Sequence, residues 1–235
     1  MLPGPEIAMP LAAAPPTPRP APVAAYTAGE EAANVATHGL GAIASGAGLA
    51  VLLVHSAWFG SARHVVASAV FGATMILLYA ASTLYHASSA PRVRHAAKVL
   101  DHASIYLLIA GSYTPFTLLA LRGALGWSLL GAVWLLALAG VALEAFWVYR
   151  PKWISAVVYL AMGWMVLLAG RRLAAALPPG ALPLLVAGGL LYSAGTVFYV
   201  QKRLRYAHAV WHGFVLGGTT CHFFAVLLLV LPVAR

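Results

Sequence analysis

Residues 206–224 read YAHAVWHGFVLGGTTCHFF. The segment is apolar enough for lipid, yet it carries three histidines, His208, His212 and His222. A run like this is either a membrane span or a fully buried helix, and the rest of the chain decides which. Of 235 residues, 62% are hydrophobic and 8% charged, against about 25% charged in soluble domains. A bilayer is crossed by about 20 mostly apolar residues. Seven runs qualify, at 36–58, 65–87, 99–121, 126–148, 153–172, 182–201 and 207–231. The expected fold is all-α, a seven-transmembrane helix bundle.

The punctuation between runs supports that division. FGSARH, SSAPRVRHAAK, RGALG, YRPK, LPPGALP and QKRLRY separate successive spans. Pro91 in the second of these cannot continue a helix. The first span is rich in Gly and Ala, residues that let helices approach closely in lipid. Residues 1–29 differ from the rest, with prolines at 3, 5, 10, 15, 16, 18, 20 and 22 and one basic residue, Arg19. They lack the charged start and unbroken apolar core of a secretory signal. They read as a disordered Pro-rich tail ahead of one transmembrane domain, 30–235.

The net charge is +9. In a soluble protein that would point to nucleic acid. Here the cations lie between spans, so no nucleic-acid partner is expected and the charges set topology and meet anionic headgroups. With the N-terminus inside, the inner segments carry Arg19, Arg92, Arg94, Lys98, Arg150, Lys152, Lys202, Arg203 and Arg205. The outer ones carry Arg63, Arg122, Arg171, Arg172 and Arg235. The bias predicts a cytoplasmic N-terminus and an external C-terminus. A single cysteine, Cys221, excludes an intramolecular disulfide.

That topology brings specific side chains to one depth. His86 lies near the inner end of span two, Asp101 near the inner start of span three, and His208 and His212 in the first turns of span seven. The i,i+4 pair projects from one helix face, about 6 Å apart along the axis. Ionised groups within a bilayer face the bundle interior and need partners. A divalent cation is the natural partner for this set, and imidazole with carboxylate suits zinc. His86, His208 and His212 are the expected metal ligands. Asp101 is the expected general base, binding or orienting a water. Ser82, one turn before His86, can hydrogen-bond to the site from behind or to its own helix.

Four stretches carry a resemblance: EEAANVATHGLG at 30–41, STLYHA at 82–87, LDHASIYLLIAGSYTPF at 100–116 and HAVWHGFVLGGTTCHFF at 208–224. In order and spacing the chain resembles the bacterial hemolysin III family, within the progestin and adipoQ receptor (PAQR) superfamily. The resemblance implies zinc held by one span-two and two span-seven histidines, with an aspartate linked through water. These positions are His86, His208, His212 and Asp101. It also implies a multi-pass protein of the bacterial inner membrane. Animal relatives include receptors with ceramidase-like activity, and the bacterial branch is named for haemolysis.

Other polar residues admit plainer uses. His222 lies about 15 Å beyond His212 along the helix, which suits a bond to a neighbouring helix or a step in a polar path. His38 is either a neighbour of the metal site or part of a helix-end group with Asn34 and Thr37. Glu30 and Glu31 suit the helix start. Asp101 could pair with Lys98, and Glu144 with Arg150. His102, rotated about 100° from Asp101, is expected to face another helix, and Tyr85 to pack. Pro115 predicts a kink in span three.

Three function classes follow. One is a zinc-dependent hydrolase of lipid amides or esters, with membrane lipid as substrate. Another is a non-enzymatic pore, cytolysin or zinc-held receptor. The third is a bis-histidine haem protein, although the i,i+4 pair and aspartate suit a small cation better.

Overall fold

The computed structural model describes residues 26–121, 123–201 and 203–231. Of the proposed tail at 1–29, residues 1–25, with Arg19, lie outside the described residues, as do Arg122, Lys202 and Arg235, while residues 28–29 belong to the first helix. Seven helices are long and apolar enough to cross a membrane: α1 Ala28–Phe59, α2 Ala62–Ala87, α3 Pro91–Ala120, α4 Ala124–Trp147, α5 Lys152–Ala176, α6 Ala181–Val200 and α7 Ala207–Val230. No strand occurs among the described residues. The chain is a multi-pass, all-α membrane protein.

Helix starts follow local chemistry. Thr27 and Glu30 form a reciprocal capping box at the head of α1: the Glu30 N–H donates to Thr27 Oγ1 at 3.3 Å, and the Thr27 N–H to Glu30 Oε2 at 2.9 Å. This cap sets α1 going at Ala28, two turns before the apolar run at 36–58. Pro91 occupies the first turn of α3, where its missing N–H costs nothing. The polar first turns 91–98 therefore belong to the helix. Gly123 and Gly180, with φ of 81° and 83°, turn the chain into α4 and α6.

Consecutive helices pack on one another from α1 to α4, α5 leans on α6 and α3, and α1 meets α7 to close the bundle. The apolar windows of α2 and α3 are 56% and 67% buried, whereas the other five reach no more than 33%. So α2 and α3 are the enclosed helices, and the remaining surface is left for lipid. Close approach depends on small residues: a Cβ at Gly140 of α4 would lie 2.3 Å from the Tyr106 ring of α3.

Two helices are irregular in the middle. At Pro115 the α-pattern of α3 widens to a π-turn over Phe116–Ala120. The Thr117 hydroxyl lies 3.0 Å from the Tyr113 carbonyl and 3.1 Å from the Thr114 carbonyl. The kink expected at Pro115 is thus accompanied by a change of helical pitch just after it, where Thr117 also meets two backbone carbonyls. In α5 a 3₁₀ stretch, Met165–Ala169, interrupts the helix, which the apolar pattern gave no sign of. The Tyr113 hydroxyl repairs it, lying 2.9 and 2.6 Å from the Met162 and Gly163 carbonyls and accepting from the Val166 N–H at 2.8 Å.

Candidate metal centre

The last turn of α2 and the first turns of α7 converge. One nitrogen from each of His86, His208 and His212 lies within 4.8 Å of the others. Ring centroids are 5.0 Å apart for His86–His208, 5.3 Å for His86–His212 and 4.6 Å for His208–His212. His86 and His212 are buried. His86 Nε2 and His208 Nδ1 are enclosed and have no hydrogen-bond partner, whereas His212 Nδ1 meets the Thr37 hydroxyl at 3.1 Å. Buried polar atoms are almost always satisfied. Two orphaned imidazole nitrogens in one three-ring cluster fit a cation that binds through lone pairs.

The first turns of α1 contribute more than the sequence suggested. Glu31 Oε2 lies 2.6 Å from His86 Nδ1, and its other oxygen pairs with Arg94 of α3. The Asn34 amide lies 3.3 Å from the same His86 nitrogen. His38 stacks on His212 with centroids 3.4 Å apart and planes 11° apart. Of its two expected uses, His38 takes the one beside the histidine cluster. Glu31, Asn34 and His38 are spaced i, i+3, i+7, one polar stripe on an apolar helix. That stripe was the available signal for this face, and reading Glu30 and Glu31 as helix-end charges hid it.

Glu30 turns the other way and accepts from the backbone N–H of Tyr206 at 3.0 Å. Tyr206 has φ 57°, the sole positive value outside glycine among the described residues, and caps α7. Tyr26, just ahead of α1, stacks over His208 at 5.3 Å and leans on His86 at 5.7 Å. Burial first, then the nearby Tyr85, Glu31 and Asp101, raise the pKa of its phenol well above the ordinary range, so the hydroxyl keeps its proton. Tyr85 packs on His86 at 4.6 Å and lies beneath the Arg94 guanidinium.

Asp101 is buried at the start of α3, beside His86 and the Ser82 hydroxyl. Ser82 is fully buried, and its Oγ closes no hydrogen bond. Asp101 enters no ion pair among the described residues. Lys98, its alternative partner, places its ammonium 4.2 Å from the Tyr149 ring centroid. Asp101, His208 and His212 line one end of a cavity of about 970 Å³, open mouth included, which continues past Ile109 and Leu160 to His222. His222 donates from Nε2 to the Leu185 carbonyl of α6 at 3.3 Å, so it ties α7 to α6 and stays apart from the cluster.

A second polar group braces α3, α4 and α5. Glu144 is fully buried and pairs with Arg150, as their spacing suggested. Arg150 also donates to Tyr106 Oη at 2.9 Å, and Tyr159 Oη lies 3.3 Å from Glu144 Oε1. His102 Nδ1 is 3.6 Å from Glu144 Oε2. His102 thus faces α4 as expected, while also reaching the cavity wall.

Together these features define a seven-helix membrane protein with a buried histidine cluster at one end of an apolar cavity. The family described as Haemolysin-III related matches residues 26–223, and the chain belongs to it. It is 47% identical over 205 residues to "Hemolysin-3" of Bacillus cereus, covering 87% of this chain and 94% of that one. It is 45% identical over 202 residues to "Hemolysin-3 homolog" of Bacillus subtilis (strain 168), covering 86% and 95%. At 28% identity over 205 residues it matches "Monocyte to macrophage differentiation factor" of Homo sapiens, covering 84% and 83%. That relative supports placement in the PAQR superfamily. No solved structure matches the chain.

Proposed function

We propose that this protein binds zinc through His86, His208 and His212 and hydrolyses an amide or ester of a membrane lipid. The observation that carries the reading is the meeting of three imidazole nitrogens within 4.8 Å of one another, beside a buried carboxylate and at the end of an apolar cavity. Zinc, when bound, supplies a Lewis acid for the carbonyl and a nucleophile at neutral pH. The residues of the chain do the rest. Asp101 orients the attacking water, accepts its proton and returns a proton to the leaving group. Ser82, whose buried hydroxyl lies near that carboxylate without a closed bond, is placed to steady it once the site is loaded. Apolar side chains from Ile109 toward Val215 hold the acyl chain and exclude water. A buried carboxylate with no cation partner is costly in a membrane interior, and an ion bound nearby accounts for Asp101. The working location is the bacterial inner membrane, N-terminus inside.

The test is elemental analysis of purified protein beside His212→Ala, followed by incubation with lipid amides. Stoichiometric zinc lost in the variant, and turnover falling about 10²–10⁴-fold in Asp101→Asn, is the expected result. Wild-type protein without zinc, or equal turnover in Asp101→Asn, overturns the reading.

A pore or cytolysin is the second reading, favoured by the printed name of the Bacillus cereus relative. It requires conductance in a clean bilayer that survives His208→Ala.

A further inference from the structure

Among the described residues, Glu31 is the one carboxylate in hydrogen-bond contact with a histidine of the cluster. Its two oxygens have different partners, Oε2 at 2.6 Å from His86 Nδ1 and Oε1 on the Arg94 guanidinium. If Glu31 served only as a surface partner for Arg94, its second oxygen would be expected to face solvent. Instead it is turned inward to a fully buried imidazole side chain. With Oε1 taken by the guanidinium, the short contact at Oε2 is a hydrogen bond from Nδ1–H to oxygen. A neutral imidazole carries one proton. With that proton on Nδ1, the lone pair is on Nε2, the nitrogen that is buried without a partner. The Asn34 amide, 3.3 Å from Nδ1, becomes a second acceptor when its oxygen is turned inward.

We propose that Glu31 is the positioning residue of the metal centre: its carboxylate, clamped by Arg94, accepts the Nδ1–H bond of His86 and commits Nε2 to the ion. The inference rests on the zinc reading above. The same helical turn does a matching service on the other side, where Glu30 holds the Tyr206 N–H at the head of α7. The first turn of α1 is therefore bolted to both helices that deliver histidines. Carboxylate–histidine–metal pairs of this kind fix the tautomer and ring orientation and make the ligand more basic.

The experiment uses the full chain in lipid nanodiscs, with zinc affinity measured by competition with a chromophoric chelator and folding followed by thermal melt. Glu31→Gln and Glu31→Ala are expected to weaken zinc about 10–100-fold, and Arg94→Ala to weaken it less. Long-range ¹H–¹⁵N spectra of the zinc-loaded wild type, with His86 assigned from His86→Gln, are expected to show Nδ1 protonated and Nε2 bound. Wild-type protein that takes up no zinc ends both the site reading and this one. Zinc bound equally by wild type and by folded Glu31 variants overturns the positioning role alone. If the Glu31 variants do not fold, the wild-type spectrum decides, and Nδ1 bound to zinc with Nε2 protonated overturns the proposal.

Discussion

Glu144 and Asp101 are both buried carboxylates, and their surroundings assign them different work. Glu144 has Arg150, Tyr159 and His102 around it, which is a closed network. Asp101 has a hydroxyl and an imidazole nearby and no cation paired to it. Glu144→Gln would leave the Arg150 guanidinium buried without its counter-charge, at a cost of about 3–5 kcal/mol. The melting temperature of that variant should drop clearly while its zinc content, on the proposed reading, stays equal to that of wild type. Asp101→Asn removes an uncompensated charge and keeps the shape, so its melting temperature in the metal-free state should match or exceed wild type. A melt of the two variants side by side separates a structural carboxylate from one held for chemistry. That His86, His208 and His212 meet, with Asp101 nearby, was legible because alternating helix direction brings them to one end of the bundle. Glu31, Asn34 and Thr37 were not, because their roles exist only across helices.

Among the elements, α3 and α5 depart from regular helix on facing sides, and Tyr113 joins them. Its hydroxyl meets the Met162 and Gly163 carbonyls and the Val166 N–H where the 3₁₀ stretch begins. Tyr113→Phe would take from the Val166 N–H its side-chain acceptor in an apolar setting, for about 1–3 kcal/mol. The expected result is a lower melting temperature and faster amide exchange confined to residues 162–169. Exchange unchanged there would show that the break in α5 is held by something else. The positions of the seven spans could be read from apolar runs because each run exceeds the bilayer width. Helix ends and internal breaks could not. Capping at Thr27 and the run 91–98 extend helices into polar sequence, and the repair of α5 depends on a residue some fifty positions away.

Across the whole molecule, the cations bias one set of loops over the other, and this predicts the direction of insertion. In a Cys221→Ala background, Ser61→Cys should react with a membrane-impermeant maleimide in intact spheroplasts, and Ser89→Cys only after lysis. Both positions are exposed at helix junctions, so a reversed labelling pattern would invert the topology. The bundle closes through α1 and α7, the same pair that the Glu30–Tyr206 bond joins at its end.

Tyr26 covers the histidine cluster on one side, and the apolar cavity opens on the other. The centre therefore lies on a border between two media. Among the described residues, the Tyr26 ring lies over the cluster beside the head of α1, and away from the cluster the cavity wall is mostly apolar. On the proposed reading, a polar reactant and an oily one would meet at that border, neither having to cross the other's medium.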